Sequence, residues 1–353
     1  MSEKRQDTYR LPAEWEPQSA VQLTWPHEAT DWRDCLDDIT RTFIELARAI
    51  TRFEQIIIVT PDAEKVRRQL HNELTEVAFQ RVIFHQCPTN DTWARDHGGI
   101  TLVGESSPAT AEEALVLDFR FNGWGEKFPW QFDNAITKSL SGAGVLAGRL
   151  EPHDDFVLEG GAIESDGKGT VFTTSHCLLA PNRNQPLDRD GIEQQLKSRL
   201  RAERIVWLDH GSLIGDDTDG HIDTTVRVAP NDTLLYIRCD DPADPHFDDF
   251  QALEAQLQTL RTDTGKPYRL LALPFPAAIH DSGDRLPATY ANFLVINGAV
   301  ICPTYNQPDT DSRALRVIAE AYPDREIIPI DAQTIIQQHG SIHCLTMQYP
   351  RLL

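Results

Sequence analysis

Positive charge is scarce in this sequence. Its 353 residues hold 33 Lys and Arg against 54 Asp and Glu, a formal charge of −21. Nucleic-acid binders carry a basic stripe and proteins docked on anionic lipid a basic face, so this balance argues against both partners. It favours a small cationic ligand, which a negative field concentrates, although surface carboxylates kept for solubility give the same count. Long apolar runs are missing too. No stretch approaches the ~18 residues that cross a bilayer, and residues 1–12 lack the apolar core of a secretory leader. The six cysteines (Cys35, Cys87, Cys177, Cys239, Cys302, Cys344) include no CxxC pair, which removes zinc knuckles and dithiol redox motifs. No GxGxxG follows a strand and no GxxxxGK occurs, so nucleotide phosphates lose their usual cradle. The expectation is a cytoplasmic protein with reduced thiols and no metal or organic cofactor.

What is present is core material. Hydrophobic residues make up 40% and run the whole length, which excludes disorder. At ~150 residues per domain the length suits two domains, yet no Pro-, Gly- or Ser-rich linker divides the chain, so a single domain over 1–353 is expected. Strands are expected at 56–60, 82–85, 115–119, 156–158, 170–173, 205–208, 234–237, 270–273 and 327–330. The runs 293–296 and 299–302 flank Asn297 and Gly298, the strongest short hairpin signal. Leu36, Ile39, Phe43, Leu46, Ala47 and Ile50 recur at three- and four-residue steps and predict a helix over about 34–53. Further helices are expected near 63–73, 192–201, 250–261 and 312–321. The pattern is α/β with several strands per helix, unlike strict β-α-β alternation. No internal repeat is visible, and 105–113 reads as an exposed loop.

Four segments carry reactive groups that a packed core does not demand. Residues 90–99 (NDTWARDHGG) follow a strand and place Asp96 beside Arg95, which also suits an ion-paired loop. Residues 156–163 (FVLEGGAI) end an apolar strand on Glu159, where a buried carboxylate is costly unless paired; an exposed hairpin Glu is the plain alternative. Residues 215–224 (GDDTDGHIDT) set His221 two before Asp223. If a strand begins there, both side chains leave one face. Residues 339–346 (HGSIHCLT) carry Cys344 next to His343. In a strand those two point apart, so His343 is not the base for Cys344, and an inert buried cysteine is the bland reading. By ligand type, zinc on His221, Asp223 and Glu159 is conceivable, but HExxH is absent and the site is expected to hold no metal.

These segments, in this order, resemble the agmatine deiminase and bacterial-type peptidylarginine deiminase family of guanidine-modifying enzymes. The resemblance runs from LPAEWEP at 11–17 and TWP at 24–26, through NDTWARD at 90–96, LEGG at 158–161, PNRN at 181–184, DTDGHID at 217–223 and Asn292-Phe293, to IHC at 342–344. It implies a five-bladed α/β propeller of pseudo-fivefold ββαβ modules around a central site, about 70 residues each. It also implies Cys344 as nucleophile, His221 as acid/base, Asp96 and Asp223 holding the guanidinium, and Glu159 orienting the histidine.

Guanidinium is a poor electrophile, so the clamp matters: two carboxylates gripping its planar fork would fix its carbon over the sulfur. The same acids should raise the Cys344 thiol pKa in the empty enzyme, so that the cationic substrate activates its own nucleophile. Agmatine is the expected substrate, with peptidyl or free arginine as alternatives. The acids Asp216, Asp217 and Asp219 are candidates to receive its distal ammonium and Trp93 to wall its methylenes; loop or helix capping suits the acids as well. The loop QHGSIHC at 338–344 departs from the GGGNIHC expected of agmatine deiminases, which puts strict agmatine specificity in question. A thiol hydrolase acting on amides would need an oxyanion hole in place of a carboxylate clamp. A non-catalytic polyamine binder would keep the acids and could dispense with Cys344 and His221. A homodimer is compatible with this reading.

Overall fold

The structure, a computed structural model, describes residues 9–104 and 109–352. Its sheets reuse one local solution. An antiparallel pair is followed by a helix that returns the chain to lay a parallel strand alongside. Ile163–Ser165, Thr170–Thr174 and Arg204–Leu208 form one such unit around the helix Arg189–Leu200. Val226–Ala229, Thr233–Arg238 and Arg269–Pro274 form the next, around Phe247–Thr259. Leu294–Ile296, Ala299–Thr304 and Glu326–Asp331 follow around Pro308–Ala321, with the hairpin expected at Asn297-Gly298 in place. Ile100–Gly104, Ala114–Arg120 and Arg149–Val157 form another around Ile136–Gly142, with Tyr9–Arg10 on its edge. The last unit joins chain segments far apart: Thr346–Pro350 pairs antiparallel with Gln18–Thr24, which runs parallel to Gln55–Thr60 and then Val82–Gln86.

The residues dictate these pieces. Leu36–Ile50 turns Ile39, Phe43, Leu46, Ala47 and Ile50 into the core, with Asp37 and Asp38 at its positive N-terminal end. Gln55–Thr60 is buried at five successive positions because it lies inside a parallel set covered on both faces. In every unit the turn that enters the first strand carries a polar residue named above, or its counterpart. Asp96 precedes Ile100–Gly104, Glu159 precedes Ile163–Ser165, Asp223 precedes Val226–Ala229, Asn292 precedes Leu294–Ile296 and Cys344 precedes Thr346–Pro350. The repeat that the sequence hides is therefore plain in the connectivity.

The mixed α/β class and most expected strands and helices stand, and three expectations change. His221 and Asp223 do not begin a strand: Ile222–Thr224 is a 3-10 turn capped by His221, and the strand starts only at Val226. Cys344 likewise sits in a turn, with its strand starting at Thr346. The segment 105–113 is not wholly an exposed loop: 105–108 lie outside the described residues, Ala109 is buried, and Ala111–Glu113 forms a 3-10 turn boxed by Thr110 and Glu113. Among the described residues no helix is long and apolar enough to cross a membrane.

Leu23 sits, fully buried, where the closing strand and its parallel neighbour meet. Leu23→Ala should lower the unfolding free energy by about 2–5 kcal/mol in a urea titration followed by tryptophan fluorescence. A change under about 0.5 kcal/mol would mean that this closure bears little of the stability.

Candidate active site

Cys344 lies at the floor of a cavity of about 450 Å³. Gly340 permits the approach: any Cβ there would overlap the Trp93 ring, so only glycine lets this loop lie on that indole. The Cys344 amide donates to Asn292 Oδ1 at 3.2 Å, the same oxygen lies 3.4 Å from Sγ, and Asp223 Oδ2 lies 3.9 Å from Sγ.

The carboxylates come in from separate turns. Asp96 stands on the one-turn helix Ala94–His97; its Oδ2 accepts from Trp124 Nε1 at 2.9 Å and its Oδ1 from the Gly161 amide at 3.1 Å. Arg95 does not pair with it, and donates instead to the His343 carbonyl and Met347 Sδ. Asp223 accepts at Oδ2 from His343 Nδ1 at 2.7 Å, while its buried Oδ1 has no hydrogen-bond partner among the described residues. Glu159 is wholly buried rather than an exposed hairpin residue, and its Oε1 accepts from Arg183 Nε at 3.0 Å. His221 is also fully buried, with Nδ1 3.6 Å from Asp96 Oδ1 and its ring beside Glu159 and Cys177.

Gly161 locates the point on which they converge. A Cβ there would lie 2.6 Å from His221 Nδ1, 2.8 Å from Asp96 Oδ1 and 3.2 Å from Asp223 Oδ2. Imidazole and both carboxylates therefore border one space, and a side chain at 161 would occupy it.

Electrostatics follows from this crowding. Burial first, then Asp223 and Asp96, push the Cys344 thiol well above its ordinary value. Burial pushes Asp96 up to about 6 against the pull of the His221 charge. Burial also works against the Asp223 charge, but the hydrogen bond and charge of His343 hold that carboxyl below its usual value. For His221 burial alone would lower the pKa; Asp96 foremost, with Cys177 and Glu159, raises it well above.

The cavity walls are aromatic and acidic. Trp93, Trp124, Phe128 and Phe132 line it together with Asp31, Asp91, Asp133 and Asp217. Asp133 is raised to about 8 and Asp91 to about 7, burial being the main cause in each. Of the acidic run, only Asp217 lines the cavity. Asp216 caps its own loop through Thr218 and the Gly220 amide, and Asp219 pairs with Arg183 and Lys127. Those two serve the loop and do not line the cavity.

Two clusters among the described residues bring three metal-ligating atoms within 4.8 Å of one another: Glu159, Cys177 and His221; and Glu14, Glu164 and His343. In each a guanidinium already fills the cationic place, Arg183 on Glu159 and Arg227 on both Glu14 and Glu164. That pairing makes neither cluster a good cation cage.

The structure adds residues that sequence reasoning passed over. Asn292 was quoted as part of a motif without a role, and its place before a first strand, matching Asp96 and Asp223, is the signal that finds it. Trp124 leaves no such trace: it sits in the left-handed region (φ 55) between Gly123 (φ 66) and Gly125 (φ 87), a strained run for so bulky a residue. Arg183 stood in the PNRN motif, where its link to Glu159 could not be read.

A thiol, an imidazole and two facing carboxylates at the end of an acid-lined cavity define a guanidine-modifying hydrolase. The chain matches the Porphyromonas-type peptidyl-arginine deiminase model over residues 10–350 and belongs to that family. It is 48% identical to a Porphyromonas gingivalis protein provisionally described as an arginine deiminase, whose crystal structure aligns over 97% of this chain and 98% of that one with a TM-score of 0.90. The substrate-bound agmatine deiminase of C. jejuni aligns over 100% and 99% at 33% identity, also with a TM-score of 0.90. The agmatine deiminase of Stutzerimonas stutzeri is 32% identical across 99% of this chain and 97% of its own.

A raised thiol pKa has a direct readout. Alkylation of Cys344 by iodoacetamide, followed by peptide mass spectrometry, should be slow at neutral pH and still be rising above pH 9. A rate that levels off below pH 8 would show that Cys344 is already a thiolate in the free protein.

Proposed function

We propose that the chain hydrolyses agmatine to N-carbamoylputrescine and ammonia, a step toward putrescine, with Cys344 as nucleophile and His221 as acid/base. The observation that carries agmatine over arginine is the cavity lining. Among the described residues Asp31 and Asp217 border it with no Lys or Arg, so a distal ammonium finds partners and an α-carboxylate does not. The agmatine deiminases of C. jejuni and S. stutzeri support the same choice. Free or peptidyl arginine is the second reading, favoured by the 48% identity to the P. gingivalis protein and by the 338–344 loop.

Asp96 and Asp223 hold the guanidinium fork, and its positive charge offsets the acids that keep Cys344 protonated. The Cys344 thiol then releases its proton to solvent, and the thiolate adds to the guanidinium carbon. His221, as imidazolium, gives its proton to the departing nitrogen, and ammonia leaves from a covalent amidino-thioether. The neutral imidazole takes a proton from water, whose oxygen adds to the same carbon. The C–S bond breaks as the added hydroxyl gives its remaining proton to solvent, the ureido product leaves and the thiolate returns. Glu159 steadies the imidazolium, and Trp93 walls the methylene chain while Asp217 meets the ammonium. Five units with inward entry turns support a five-bladed α/β propeller forming one deiminase domain over 1–353. A cytoplasmic protein, with no metal or organic cofactor and no nucleic-acid or membrane partner, completes the reading, and a homodimer is compatible with it.

Agmatine, arginine and a blocked arginine peptide should be compared for ammonia and ureido product, with agmatine giving the highest kcat/KM. Preference for the peptide would overturn the substrate. Cys344→Ala should lose all turnover yet still bind agmatine in calorimetry; surviving turnover would move the nucleophile elsewhere. Asp217→Asn should raise the agmatine KM about tenfold with little change in kcat, the loss of one charge-assisted contact.

A further inference from the structure

We propose that Glu14 is a positioning residue for this reaction, holding Asp223 in its clamping orientation through His343; the role rests on the guanidine chemistry proposed above. The connection is continuous. Asp223 Oδ2 accepts from His343 Nδ1 at 2.7 Å, and Glu14 Oε2 faces His343 Nε2 at 2.9 Å. Nε2 also lies 3.1 Å from Arg227 Nη2, so the ring is held at both nitrogens and cannot turn over without losing a bond.

Glu14 is itself fixed. Its Oε2 accepts from Arg227 Nη2 at 2.6 Å and its Oε1 from the Val295 amide at 2.8 Å. Arg227, fully buried, is fixed in turn by Glu164 at 2.6 Å and by the carbonyls of Ala291 and Phe293 on either side of Asn292. Glu14 thus ties together the turns that present Asp223, Asn292 and Cys344. The charges of His343 and Arg227, with burial opposing, hold its carboxyl below the usual range. Asp223 keeps Oδ1 unpartnered while Oδ2 is occupied, which is the arrangement of a carboxylate with one arm anchored and one free for a ligand.

A second cavity makes the role testable. It measures about 70 Å³ and is bordered by Glu14, Glu164, His343, Arg95 and Gln348, sharing no lining residue with the cavity of Cys344. Neighbours in sequence divide between the two: Arg95 and His343 face this one, Asp96 and Cys344 the other. Its border includes the exposed Pro17 and the half-exposed Leu11 and Glu16, so small solutes can reach Glu14 while substrate occupies the other side.

Glu14→Ala should lower kcat about a hundredfold with KM changed by less than about threefold, the cost of misaiming a group without removing it. Sodium formate at fixed pH should restore at least about tenfold of that loss by placing a carboxylate where Glu14 stood, whereas sodium chloride of equal ionic strength should not. A kcat within about twofold of wild type, or a loss that formate leaves unchanged, overturns the role. Should Glu14→Ala fail to fold, Glu14→Gln with an unchanged melting temperature takes its place, and a kcat within about twofold of wild type overturns the proposal there too. Absence of wild-type turnover on any guanidine would overturn both the function and this role; wild-type turnover with an unaffected variant overturns the role alone.

Discussion

Negative charge held away from water is the constraint around which the centre of this molecule is arranged. Asp96, Glu159, Glu164 and Asp223 are all buried, and an unpaired carboxylate in such a place costs several kcal/mol, of order. The structure meets that cost with a partner for each acid: Arg183 for Glu159, Arg227 for Glu164 and Glu14, the His343 ring for Asp223, and the Trp124 and Gly161 N–H groups for Asp96. Compensation is incomplete. Burial first, then the neighbouring acids, raises the Cys344 thiol, and burial raises the Asp96 carboxyl. A guanidinium has the charge and the planar donors to pair with Asp96 and Asp223.

The fold delivers these groups through repetition. Each unit has a turn before its first strand that carries a polar or thiol side chain of the candidate site, and the turn before Val226–Ala229 carries two, His221 and Asp223, so no single segment has to hold the whole constellation. The positions can diverge independently, since Asp, Glu, Asn and Cys all occupy the corresponding place. That divergence is also why neither the repeat nor the site is evident along the chain.

Legibility differed accordingly. Strands with continuous apolar runs, such as Gln55–Thr60, and helices with a full stripe, such as Leu36–Ile50, follow from local periodicity and were readable. Gln18–Thr24 and Thr346–Pro350 were not, because their partners lie at opposite ends of the chain and their patterns mix Gln and Thr with apolar residues. At the site, Cys344, His221, Glu159, Asp96 and Asp223 were found through motif resemblance. Their side chains are brought together by 3-10 turns and single helical turns that no period-2 or period-3.6 rule describes. Asn292, Trp124 and Glu14 act through contacts hundreds or tens of residues away, and sequence spacing holds no record of such contacts.

The strand that follows Cys344 pairs with one laid down about three hundred residues earlier, and this gives the molecule an order of events. Synthesis runs from the N-terminus, so the sheets and acidic turns that precede Cys344 in sequence can form before it is made. The pairing of Thr346–Pro350 with Gln18–Thr24 then sets the turn that carries the sulfur. Such a long closure is slow to find. Where that pairing is open, Cys344 is no longer held beside Asn292 and Asp223.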